Sequence, residues 1–92
     1  MNVQLEDDGK HGKFFIADNG KELAQMAFTW AGADKFIIDH TEVDDSLRGK
    51  GAGKQMLLKA VEYARTHHKK ILPLCPFAKS VFGKNENLRD VL

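Results

Sequence analysis

At 92 residues, with 42% hydrophobic and 29% charged side chains, the chain has the make-up of one small globular domain, 1–92, built round a single core. Its net charge of +1 gives no bulk attraction to nucleic acid or to an anionic membrane, and a lone cysteine excludes an internal disulfide, which suits a reducing compartment. No apolar run approaches the roughly 18 residues of a membrane span, and Met1-Asn2-Val3-Gln4 does not read as a secretory signal, so a cytoplasmic location is expected.

In chain order, residues 3–5 form a short strand before the loop Glu6-Asp7-Asp8-Gly9. Residues 13–17 are strand-like, and Asp18-Asn19-Gly20-Lys21 then makes a hairpin turn, because Asn-Gly readily takes positive φ. Residues 22–30 are the return arm, with Ala24, Met26, Phe28 and Trp30 on one face and Trp30 assigned to the core. Ala31-Gly32-Ala33-Asp34 turns the chain again into a strand over 35–43. Phe36, Ile38 and His40 share one face there, and Ile37, Asp39 and Thr41 the other. Val43 breaks that parity, which predicts a bulge near Thr41 or Glu42, and bulges favour positions beside active sites.

Three alternate glycines follow, in Leu47-Arg48-Gly49-Lys50-Gly51-Ala52-Gly53-Lys54, directly before a helical pattern over 51–67. Glycines suit a tight loop at a helix start, where free N–H groups and the helix dipole attract anions, phosphates above all. Arg48, Lys50 and Lys54 crowd an end where the dipole disfavours cations, a penalty that a bound polyanion reverses. The spacing fits neither nucleotide motif. Gly49 and Gly53-Lys54 stand one residue too close for a phosphate-binding loop of the ATPase type, and Gln55 replaces its hydroxyl. No acid lies about 20 residues on, as a dinucleotide fingerprint requires.

His67-His68-Lys69-Lys70 closes the helix with positive charge and reads as a solvated terminus rather than a metal site. Residues 71–75 form a short strand, and Pro76 opens a second helix that Gly83 ends, leaving a polar tail over 84–92. The fold class is thus α+β: antiparallel strands followed by a βαβ unit with a parallel pair, then a C-terminal helix. Ligands in such sheets bind beyond the carboxyl ends of the strands, where the glycine loop, His40 to Val43, and Cys75 converge. Cys75 stands just before a helix start, which favours a nucleophilic thiolate, and His40 across the parallel pair could complete a Cys/His arrangement. The alternatives are a small buried hydrophobe, a hydrogen-bonded core histidine and, for Glu42, a solvated charge in place of a base.

Arg48, Gly51 and Gly53 match in order the Gln/Arg-x-x-Gly-x-Gly/Ala signature of the GNAT-type N-acetyltransferases. With Asp39-His40-Thr41-Glu42-Val43 and Cys75-Pro76-Phe77-Ala78-Lys79, nearly the whole chain resembles the small single-domain GNAT-like subfamily described as YidJ-like or NATD-like. The resemblance implies a minimal GNAT-like fold with acetyl-coenzyme A as cosubstrate. Its pyrophosphate is then held by Arg48, Gly49, Lys50, Gly51, Ala52, Gly53 and Lys54, and its pantetheine arm by Thr41, Glu42 and Val43. That course brings the thioester near Cys75. The chain departs from larger GNAT enzymes in its simple hairpin at Asp18-Asn19-Gly20-Lys21, which leaves no room for the helices that usually help form the acceptor site. Three functions remain open: an acyltransferase with an amine acceptor, a non-catalytic module that binds acetyl-coenzyme A or coenzyme A, and, behind both, a purely structural interaction domain.

Overall fold

The computed structural model describes residues 1–92. Five strands, β1 (Gln4–Asp7), β2 (His11–Asp18), β3 (Lys21–Trp30), β4 (Lys35–Val43) and β5 (Lys70–Pro73), lie side by side in sequence order. The first four run antiparallel, and β5 pairs parallel to β4. The parallel pair needs a crossover, supplied by helix α1 (Ala52–His67); helix α2 (Pro76–Lys84) follows β5. Asn19 and Gly20 take φ of 52° and 77°, so β2 and β3 join through the two-residue turn that Asn-Gly favours.

Alternation along the strands decides where the core lies. Phe14, Ile16, Ala24, Met26, Phe28, Phe36, Ile38 and Ile71 are all buried, and the strand registers put them on one face. Met56, Leu57, Ala60, Val61 and Ala64 recur at helical spacing along α1 and close against that face. Phe14, Phe28 and Phe36 pack with ring centroids 5.1–6.3 Å apart. Trp30, expected in the core, is a half-buried lid on this cluster, and its Nε1 donates to Asp7 Oδ1 at 2.9 Å.

Two local expectations are corrected. The tail is not simply polar: Glu86–Val91 winds into a 3-10 helix that buries Leu88 and Val91 in the core. Arg65 of α1 holds it, donating from Nε and Nη2 to the Asp90 carboxylate at 3.0 and 2.7 Å. The guanidinium beside Asp90 keeps its carboxyl below the usual carboxylate range. The β4 bulge also sits earlier than expected. Ala27 faces His40 while Phe28 faces Ile38, so Asp39 is the extra residue.

Candidate functional site

One inserted residue changes which side chains reach the site. Beyond Asp39, Thr41 faces Met26 and Val43 faces Ala24, which turns both onto the helix side. His40 faces Ala27 and Glu42 faces Gln25, which turns both outward. The expected Cys75–His40 juxtaposition is therefore replaced. The His40 side chain is 53% exposed on the opposite face, with Nε2 3.9 Å from Glu42 Oε1. Thr41 meets Cys75 instead, Oγ1 to Sγ at 3.3 Å.

Cys75 is the N-cap of α2. Its buried sulfur accepts from the Ala78 N–H at 3.3 Å, satisfying one of the helix's free donors, and Pro76 takes the first helical position. The parallel pairing ends at Ile38 opposite Pro73. Leu74 and Cys75 both donate their N–H to the Ile38 carbonyl, at 3.1 and 3.2 Å, and the chain then turns into α2. From Asp39 to Val43, β4 has a strand neighbour on its β3 side alone.

The glycine loop stands at the open end of this split. Asp44 caps a 3-10 turn over Asp45–Leu47, accepting from the Ser46 hydroxyl and N–H; these bonds lower its carboxyl from the ordinary value. Gly49 and Gly51 follow at φ of 79° and 75°, angles that L side chains adopt only under strain. Gly51 caps α1 without a side-chain bond. The N–H groups of Gly49, Gly51, Ala52, Gly53 and Lys54 make no hydrogen bond within the protein, as expected of a helix start without a capping side chain. Nothing lies within 4 Å of where a Cβ on Gly49 or Gly51 would stand, so this surface is free to receive a ligand.

A cleft of about 410 Å³ joins the two features. Thr41 and Val43 line it from β4, with Arg48, Gly49, Gly51, Ala52, Gly53 and Lys54 from the loop. Of the expected donor-site residues, Lys50 and Glu42 lie outside its lining; Glu42 accepts from Gln25 Nε2 at 3.1 Å on the far face. Leu47 and Phe77 complete the wall, and neither was legible as a site residue. Phe77 also explains Gly53: a Cβ there would come within 2.7 Å of its ring. Arg48 reaches Asp45 at 2.8 Å, but both side chains are exposed and the pair contributes little.

A mixed sheet that splits at its parallel pair, with a glycine loop feeding a helix at the split, defines a protein of the GNAT fold. The chain belongs to the GCN5-related N-acetyl-transferase family, whose model matches residues 13–91. It is similar to Protein NATD1 of Xenopus tropicalis, at 29% identity over 63 residues that make up 67% of this chain and 58% of that one. Protein NATD1 of Gallus gallus is 31% identical over 62 residues, 66% of this chain and 56% of that one. The chain thus spans a little over half the length of these curated relatives. A GCN5-like protein of Staphylococcus aureus, provisionally assigned as an N-acetyltransferase and solved by NMR, superposes with a TM-score of 0.71 at 32% identity, covering 98% of this chain and 87% of its own. The ribosomal-protein-alanine N-acetyltransferase of Brucella melitensis biovar Abortus shares the fold, with a TM-score of 0.69 at 17% identity over 84% of this chain and 62% of its own.

Proposed function

We propose that residues 1–92 act as one acyltransferase domain that takes its acyl group from acetyl-coenzyme A and passes it to an amine. The supporting observation is that an unpaired strand flank and a row of five free N–H groups border one cleft. The residues fit the donor. Gly49, Gly51, Ala52, Gly53 and Lys54 would hold its pyrophosphate through their N–H groups, with Arg48, Lys50 and Lys54 supplying charge. Thr41, Glu42 and Val43 would hold the pantetheine arm through the open backbone of β4, as an added strand is held at a sheet edge. Bound there, the donor supplies an activated acyl group as a thioester.

The chain's own part at the reacting end is to position and to exclude water. Cys75 Sγ is held by the Ala78 N–H and the Thr41 hydroxyl at a helix start, where negative charge is favoured. Either the Cys75 thiol takes the acetyl group as a thioester, with coenzyme A leaving as its thiol, or Cys75 stays behind Thr41, outside the lining of the cleft, while the amine is acylated directly. Incubation with acetyl-coenzyme A followed by peptide mass spectrometry separates these: the first requires an acetyl mass on the Cys75 peptide.

The position of His40 favours a second reading, a non-catalytic acyl-coenzyme A-binding module, because no imidazole stands beside Cys75. Thermal shift with acetyl-coenzyme A, coenzyme A and ATP, together with free-thiol release on an amine panel, decides between the readings. A rise in melting temperature with coenzyme A and release with an amine are expected. No rise at millimolar coenzyme A would sink both readings; a rise without release on any amine would leave only the binding module.

A further inference from the structure

The face of the sheet turned away from the helices is uncovered. Lys13, Phe15, Gln25, Ala27, Thr29 and Ile37 alternate with the core residues, yet none is buried. Charge is divided along the same line. Residues 1–46, which build β1 to β4, hold ten Asp and Glu against four Lys and Arg; residues 47–92, which build both helices, hold three against ten. Across the middle of the open face stand Glu6, Glu22, Asp39 and Glu42. Their one central lysine, Lys13, is already held by Glu22 at 2.5 Å and Glu6 at 3.5 Å. His11 and His40 carry charge only when protonated, and Lys35 stands at the far end of β4.

Shape narrows the occupant further. The depression on this side, about 470 Å³ beside Glu6, His11, Lys13 and Gln25, is shallow and open. A small amine there would keep most of its surface in water, unlike ligands of enclosed sites, whereas an extended chain can cover a flat sheet face. A second copy offering its basic helices would make a head-to-tail union, a ring or an open array rather than the commoner two-fold dimer. Asp39, His40 and Glu42 also flank the point where β4 parts from β5, the split whose inner side holds Thr41 and Cys75.

We propose that this acidic, uncovered face docks a lysine-rich segment of a protein, laid across the strands with one lysine side chain directed to the gap between β4 and β5. The docking rests on charge and shape; that the directed lysine is the acyl acceptor rests on the transferase reading above.

NMR titration of the ¹⁵N-labelled protein tests it with three probes: a lysine-rich peptide, a glutamate-rich peptide of equal length, and spermidine. The amides of Gln25, Ala27, Asp39 and Glu42 should move with the lysine-rich peptide and much less with the others, and the affinity should fall as salt rises. The pairs Asp39→Asn/Glu22→Gln and Glu6→Gln/Glu22→Gln should each weaken the peptide about tenfold; the second pair spares the Asp39–Thr29 hydrogen bond. Silence at those amides, an equal response to the glutamate-rich peptide, or spermidine binding as tightly as the peptide would each overturn the proposal. If acetyl-coenzyme A raises the melting temperature while the peptide shifts nothing, docking fails and donor binding stands. If the peptide docks but its lysines gain no acetyl group with acetyl-coenzyme A present, the surface stands and its lysine is not the acceptor.

Discussion

From Lys35 to Ile38, β4 is hydrogen-bonded to β3 on one side and β5 on the other, and Phe36 and Ile38 are 0% exposed. From Asp39 to Val43 the same strand keeps only its β3 partner, and none of its side chains is buried. The first half is ordinary core. The second presents unpaired peptide groups, which in most proteins invite unwanted strand pairing. Here Leu47, the glycine loop and Phe77 stand along that edge and, with Thr41 and Val43, line a cleft of about 410 Å³. One strand thus supplies stability at its start and an unpaired edge, the binding template of the proposed function, at its end, with the Asp39 bulge between them.

Substitutions in the two halves should separate these roles. Ile38→Ala should cost about 2–5 kcal/mol in urea denaturation, whereas Val43→Ala should cost about 1 kcal/mol and mainly weaken ligand-induced stabilisation. Equal costs would erase the distinction. Gly51→Glu should lose about 1–2 kcal/mol through its left-handed backbone and abolish any thermal shift with acetyl-coenzyme A, because charge and bulk then face the pyrophosphate. Acid should act on both sides of the bulge. Asp44, beyond the open half, is lowered by Ser46, and Asp90, behind the closed half, by Arg65. A folded pKa below the unfolded one gives stability that is present above about pH 4 and is lost as pH falls through the folded value. Asp90→Asn should therefore flatten the acid limb of a stability–pH curve and leave the neutral plateau lower. The smallest effect belongs to Thr41→Val, which exchanges a hydroxyl for a methyl of similar shape and should change stability by less than about 1 kcal/mol. A larger loss in calorimetry would mean that the Thr41–Cys75 contact holds the gap together.

Most of the architecture was legible because periodicity reports burial. Strands β2 to β5, helix α1 and the Asn19-Gly20 turn follow from alternation, helical spacing and one turn dipeptide. The bulge was legible only in kind. Val43 had to break parity somewhere, but Asp39, Thr41 and Glu42 are all polar and carry no burial signal, so the register against Ala27 and Phe28 decided the place. That displacement of two or three residues exchanged His40 for Thr41 beside Cys75. The tail hid its structure for a related reason: Leu88 and Val91 are two apolar residues among charges, and only their spacing of three hinted at a 3-10 turn. Gly83, expected to stop α2, lies within it, and the helix runs to Lys84. The glycine loop announced itself through local backbone chemistry. Leu47 and Phe77 did not, since a wall made by tertiary contact leaves no local mark.

The meeting of Gly53 with Phe77 has a mechanical consequence. One is in the first turn of α1 and the other in the first turn of α2, and the hydrogen atom of a glycine lets the ring rest directly on the helix backbone. The two helix starts are thereby fastened like bearing and shaft. A ligand that touches only the loop should slow hydrogen exchange in both first turns, so that the Cys75 end registers occupancy at the glycine loop without any contact of its own.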